Sequence, residues 1–424
     1  MLTVVLGRAF RALRHPNYRL FFAGQIVSLV GTWMTSTATV WLVYRLSGSP
    51  FLLGVVGFAG QIPAAVLTPV AGVYIDRWNK HRVLIAAQTA SMLQSFALAA
   101  MVFSGHASIP ALVVLNVLQG IINAFEMPCR QSFVISLIED KNDLGNAIAL
   151  NSSMFNAARL LGPALGGVVI AAAGEGWCYL IDGVSFFAVL VSLLLMRVAP
   201  TPPAPRGAGP WAQFREGWRY TFASPPLRSL LVLLAVSSLV GAPYTVLMPV
   251  FAKSILGGGP HTLGFLMGAG GAGALAAALA LAARTSVRGL TGLVPRAGAV
   301  FGVGLILFSF SRSVPASVLL IFLAAAGFMI QVAGSNTILQ TIVEDDKRGR
   351  VLSLFVLSFL GTAPFGSLFA GALAARFGAP FTLQVGGVCV LAGALWFVRR
   401  LPEVRRAIRP IYIEKGILPG AVDR

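Results

Sequence analysis

Twelve stretches of this chain are apolar for long enough to cross a bilayer, with short polar segments between them. They run over residues 18–45, 51–75, 83–104, 109–130, 145–173 and 177–198, and, after a break, over 229–253, 262–284, 289–311, 315–340, 351–375 and 381–399. A bilayer core about 30 Å thick takes about 20 residues to cross as a helix, and backbone polar groups inside it must bond within the segment. The runs are too long and continuous for barrel strands. The pattern predicts an all-α membrane protein with twelve transmembrane helices, six on each side of the break. The break, APTPPAPRGAGP, is too rich in Pro and Gly to be helical and reads as a linker. Beyond it Trp211, Phe214, Trp218 and Phe222 recur at helical spacing opposite Arg215, Glu216 and Arg219, as in an amphipathic helix on the inner leaflet. The domain plan is an N-terminal six-helix bundle over 1–198, a cytoplasmic linker with its amphipathic helix over 199–226, a C-terminal six-helix bundle over 227–400 and a basic cytoplasmic tail over 401–424.

The two sets of six are related in sequence. An offset of 210 residues superposes Pro16 on Pro226 and Ser28-Leu-Val-Gly31 on Ser238-Leu-Val-Gly241. The same offset aligns Gly48, Pro50, Leu53 and Gly54 with Gly258, Pro260, Leu263 and Gly264. One unbroken offset across two runs and their connecting loop points to a duplicated unit, and two six-helix halves the same way up form parallel repeats about an axis along the membrane normal.

Polar positions interrupt two runs with helical periodicity. In the fourth, Asn116, Gln119, Asn123, Glu126 and Arg130 follow at steps of 3, 4, 3 and 4, so all five share one helix face. Gln25, Ser28, Thr32, Thr35 and Thr39 do the same in the first. A buried, unpaired polar group costs about 1–3 kcal/mol, so neither stripe can face lipid. They are expected to line a central cavity or to bond helix to helix. Four charged side chains within or near the spans stand out: Glu126, Arg130, Arg159 and Asp182. Each needs a partner or water, because ionising an Asp at the bilayer centre costs about 2.5–3.5 kcal/mol even on the permissive insertion scale. Arg130 can pair with Glu126 one turn away or with Asp76, and Arg159 can pair with Asp182 across the fifth and sixth runs. The last six runs hold no carboxylate, so proton coupling would have to use Glu126 or Asp182.

Composition agrees with this picture and charge refines it. Apolar residues make up 57% of the 424 and charged residues 11%, well short of the quarter or so of a soluble chain. A net charge of +18 would suggest nucleic acid in a soluble protein. With the N-terminus inside, however, all but six of the 32 Lys and Arg residues fall in cytoplasmic segments; the exceptions are Arg45, Lys253, Arg312, Arg376, Arg130 and Arg159. That is the positive-inside rule, which orients the chain with both termini cytoplasmic and accounts for the charge without a polyanion. The start, MLTVVLGRAFRALRHPN, has too short an apolar run and no cleavage site for a removable signal, and reads as a surface helix with Arg8, Arg11 and Arg14 near headgroups. Cys129, Cys178 and Cys389 show no metal or redox spacing and read as packing residues. No Walker loop or paired metal-ligand spacing occurs, so neither an enzyme nor a resident metal or cofactor is expected.

The loop after the second run reads Gly72-Val-Tyr-Ile-Asp76-Arg77-Trp-Asn-Lys80-His-Arg82. It resembles the loop motif of the major facilitator superfamily, which assigns Gly72, Asp76, Arg77, Lys80 and Arg82 to a gating loop. In the fifth run, Arg159-Leu-Leu-Gly162-Pro163-Ala-Leu-Gly166-Gly167 looks like the Gly-Pro-x-x-Gly-Gly motif of antiporter members. With HPNYRLFFAGQIVSLVG, EMPCRQSF, IDGVSF and EDDKRGRVLSL, these segments resemble the exporter branch that includes the enterobactin exporter and macrolide-efflux proteins. The chain departs from that branch in two places. Asn116 stands where exporters often carry an arginine linked to proton coupling, and the second-half loop ARTSVRGLTGLVPR has no carboxylate to match Asp76. The resemblance implies a monomeric secondary transporter of the bacterial inner membrane that exports a drug or siderophore-like compound by proton antiport. Uptake or facilitated diffusion by the same fold is the rival reading, and a membrane sensor or scaffold a weaker one.

Overall fold

The computed structural model describes residues 10–75, 78–197, 210–284 and 286–419. Arg8, Asp76 and Arg77 lie outside the described residues, as do the side chains of Trp211 and Phe214, and Gly72 is described only as helix backbone. Among the described residues there is no strand, and twelve helices are long and apolar enough to cross a membrane.

Six of them come first: α1 (Pro16–Ser47), α2 (Pro50–Ile75), α3 (Lys80–Phe103), α4 (Ile109–Ser136), α5 (Leu144–Ala173) and α6 (Glu175–Leu195). The short α7 (Pro210–Ala223) follows. Then come α8 (Pro225–Ile255), α9 (Pro260–Ala282), α10 (Leu290–Phe310), α11 (Val314–Ile342), α12 (Arg348–Phe377) and α13 (Ala379–Glu414). Local chemistry sets several of these ends. Proline stands in the first turn of α1, α4, α8, α11 and α13, where its missing N–H breaks no helical bond. Asn79 caps α3, its Oδ1 accepting from the Arg82 backbone N–H at 3.2 Å. The last helix outruns its apolar stretch: α13 continues to Glu414 through Pro402 and Pro410, so most of the predicted basic tail is helical.

Three segments are wound as π-turns: Ser237–Gly241 and Phe251–Ile255 in α8, and Leu357–Gly361 in α12. The first and third lie just ahead of Pro243 and Pro364. A proline inside an α-helix removes a donor and crowds the carbonyl four residues back, and a wider turn relieves that crowding.

The chain divides into two compact units, Met1–Arg206 with Phe251–Gly268, and Gly207–Val250 with Ala269–Arg424. In the first, α1 packs on α5 and α6, α3 on α4 and α6, and α2 on α4. One cluster runs from Tyr18 and Phe21 of α1 through Phe133 of α4 to Val189 and Leu193 of α6. In the second unit α10 packs on α11 and α13, and α8 on α13, around Leu233, Leu234, Ile338, Leu339 and Phe397.

Candidate functional site

The α4 stripe turns away from the lipid-facing side of its helix. Val114, Leu118 and Ile121 are exposed, whereas the polar face meets α3. Gln119 Nε2 donates to Ser91 Oγ at 3.2 Å and to Asn123 Oδ1 at 3.0 Å, and Gln88 Nε2 donates to Glu126 Oε1 at 3.4 Å. Asn116 Nδ2 bonds its own helix at Leu112 O, 2.8 Å away. Of the two partners open to Arg130, the structure places Glu126 beside it, Nε to Oε1 at 2.8 Å, with both side chains nearly buried. A buried ion pair of this kind adds little net stability while both ends are present, but removing one end strands a charge.

Asp182 of α6 is only 2% exposed. Ser95 Oγ of α3 donates to its Oδ2 at 2.8 Å, and Thr32 Oγ1 of α1 reaches Oδ1 at 3.5 Å while also donating to Ser28 O at 3.0 Å. No basic side chain contacts it among the described residues. The cross-helix pair with Arg159 is not formed; the Arg159 guanidinium instead lies 5.7 Å from the Trp33 ring centroid, and Trp33 meets Phe155 edge-on. The reason is geometric. Arg159 lies on the same side of α5 as Gly162, which packs on α1 at Trp33, whereas Asp182 lies where α6 meets α1 and α3.

The α1 stripe is used mostly inside the first unit. Gln25 and Ser28 are each 3% exposed, and Thr39 shares a 3.2 Å hydrogen bond with Tyr179 of α6. Thr35 is half-buried and Thr32 alone of the five is exposed. The glycines of the α5 motif mark close approaches: a Cβ on Gly162 would lie 2.3 Å from Trp33 Cβ, one on Gly166 3.2 Å from Met34 Cα, and one on Gly167 2.8 Å from Gly264 Cα. Pro163 sits inside α5 without ending it. Of the gating-loop residues, Lys80 Nζ donates to Ser132 Oγ at 2.5 Å, tying the start of α3 to α4.

Residues 8–411 match the profile of the transmembrane secretion effector family, MFS_3. The chain belongs to this family. It is therefore a membrane transporter of the major facilitator superfamily, in line with the loop and α5 motifs. Curated relatives agree at modest identity. The staphyloferrin A transporter of Staphylococcus aureus is 25% identical over 89% of this chain and 95% of its own length. The multidrug efflux pump Tap of Mycolicibacterium fortuitum is 25% identical over 94% and 99%. The enterobactin exporter EntS of Salmonella typhimurium is 25% identical over 92% and 94%. Among solved structures, a bacterial homologue of the lysosomal transporter Spinster superposes with a TM-score of 0.67 at 16% identity, covering 96% of this chain and 99% of that one. A POT family transporter superposes with a TM-score of 0.75 at 10% identity, covering 91% and 96%. At those identities the structures speak to the fold alone.

Within this major facilitator protein, sequence reasoning missed the α3 partners Gln88, Ser91, Gln94 and Ser95, all at most 5% exposed. The signal was present, since Gln88, Ser91 and Ser95 share a helix face. It also missed Gln331 of α11, fully buried, whose Nε2 donates to Ser237 Oγ at 2.7 Å.

Proposed function

We propose that this transporter exports a small amphipathic compound, drug-like or siderophore-like, by alternating access with protons moving the other way. It would sit in a bacterial cytoplasmic membrane with both termini inside, as its inner-loop excess of Lys and Arg favours. Export as the direction is supported by full-length similarity to an enterobactin exporter and a multidrug efflux pump. The observation that carries the coupling is Asp182, a buried carboxyl held by hydroxyls and, among the described residues, in contact with no cation. Ionised, it would lack a countercharge in a low-dielectric setting; protonated, it is neutral and can donate as well as accept. Protonated, its single O–H can donate to one of the two hydroxyls, Ser95 of α3 or Thr32 of α1, which would link a proton to the contacts among three helices. Glu126, beside Arg130 and Gln88, is the second candidate.

The test is efflux from an efflux-deficient host against a panel of toxic compounds and siderophores, with and without a protonophore, followed by vesicle assays of Asp182→Asn, Glu126→Gln and the double variant. The reading expects a protonophore to raise intracellular substrate, and the double variant to lose its response to an imposed pH gradient. Efflux that stays proton-driven in the double variant rules out coupling through these carboxyls, and substrate accumulating inside cells favours uptake instead.

A further inference from the structure

The inner-loop segment EDDKRGRVLSL takes no part in the reading above, yet it builds a cavity with α7. The cavity measures about 280 Å³ and is lined by Glu216, Arg219, Tyr220, Lys347, Arg350 and Val351, with Gly217 and Ala223. Its walls are fixed by contacts between α7 and the start of α12. Arg350 pairs with Glu216, a Cβ on Gly217 would lie 3.0 Å from Arg350 Cβ, and Lys347 Nζ stands 4.9 Å from the Tyr220 ring centroid while bonding Glu344 at 2.6 Å. Three basic groups and one carboxylate therefore line a cavity floored by Tyr220, Ala223 and Val351.

Positive charge is left uncompensated on α7. Arg215 and Arg219 are exposed one turn apart on α7, with no acidic partner for either among the described residues. Like charges at that spacing repel, so an anion between them and Lys347 would relieve the repulsion. The depth of the site is also marked. Trp218 and Phe222 stack at 4.2 Å on α7, Trp218 is 47% exposed, and α8 enters its apolar run directly after, at Pro225. Exposed Trp at the end of a span sits at headgroup level. The volume falls just below the range of about 300–1,000 Å³ usual for drug-sized ligands, which suits a headgroup better than a transported compound.

We infer that this cavity binds the phosphodiester headgroup of an anionic phospholipid of the inner leaflet, with Arg219 and Lys347 on the phosphate and the glycerol end against Tyr220 and Val351. A free phosphate would satisfy the basic groups but leave the apolar floor unused, which is why a lipid is the assigned source. Occupancy would tie α7 and the start of α12 to the membrane surface.

The test titrates the delipidated full-length protein with phosphatidylglycerol and, separately, with phosphatidylcholine and inorganic phosphate, reading bound molecules by native mass spectrometry. Each basic side chain near an anionic surface is worth about a fivefold change, so Arg219→Gln with Lys347→Gln should weaken phosphatidylglycerol binding by about 25-fold. The exposed tail pair Arg406→Gln with Arg409→Gln should leave it within about twofold. Glu344→Gln, which frees Lys347 from its carboxylate partner, should tighten binding, a gain that misfolding cannot imitate. Equal affinity in wild type and the Arg219/Lys347 variant overturns the proposal. So does an equal loss in the tail variant, which would reduce the effect to surface potential, or inorganic phosphate binding as tightly as the lipid.

Discussion

The same four residues, Ser-Leu-Val-Gly, occur at corresponding places in α1 and α8 and meet opposite surroundings. In α1 they are wound as regular helix, and a Cβ on Gly31 would stand 2.8 Å from Asp182 Oδ1 and from Ser185 Oγ. In α8 they form a π-turn ahead of Pro243, and a Cβ on Gly241 would stand 2.5 Å from Phe301 Cε1 and 2.9 Å from Val390 Cγ2. Val390 of α13 thus occupies for Gly241 the place that Asp182 of α6 occupies for Gly31. Around it the second half is aromatic, with Phe301 4.8 Å from Phe328 and 6.1 Å from Tyr244. The buried polar groups near it, Gln331, Ser237 and Ser238 among them, do not titrate in any physiological range. Among the described residues, a buried carboxyl stands at this contact in the first half, beside Gly31, and an apolar side chain stands at it in the second, beside Gly241.

The comparison is broken most sharply by moving the carboxyl. Val390→Asp places an acid at a fully buried position beside Gly241 and the Phe301 ring, and should lower stability by about 3 kcal/mol or more, read as an early thermal transition in detergent. A variant that melts with the wild type would mean the second contact is not dry. Alanine at the two glycines should split next. Gly241→Ala must displace a fully buried aromatic ring and should cost about 1–3 kcal/mol. Gly31→Ala meets the ends of Asp182 and Ser185 and the Asp182 Cα at 3.0 Å, and should impair proton-driven efflux more than Gly241→Ala; equal efflux in the pair would erase the distinction. The smallest effect is expected at the π-turns. Ser238 Oγ donates to Phe359 O at 2.5 Å, joining the turn in α8 to the turn in α12. Ser238→Ala should cost about 1 kcal/mol, whereas Ser28→Ala, in the α-helical copy, should shift melting less.

Much of the architecture needed no coordinates. Twelve spans, their order and nearly all their ends follow from apolar run length, because a bilayer enforces backbone bonding within each segment whatever its neighbours are. The polar stripe of α4 was equally legible, since helical periodicity alone puts Asn116 through Arg130 on one face. Partners were not. Arg159 could be placed at the right depth for Asp182, but depth says nothing about which way α5 is rotated, and packing of Gly162 on Trp33 turned the arginine onto an indole instead. The α3 residues Gln88, Ser91 and Ser95 look unremarkable as letters and gain meaning only where α3 lies between α4 and α6. The two fates of Ser-Leu-Val-Gly make the same division. Run length and period are properties of one helix and are written along the chain, whereas the environment of a side chain belongs to pairs of helices, and rotation and register are settled only when both have packed.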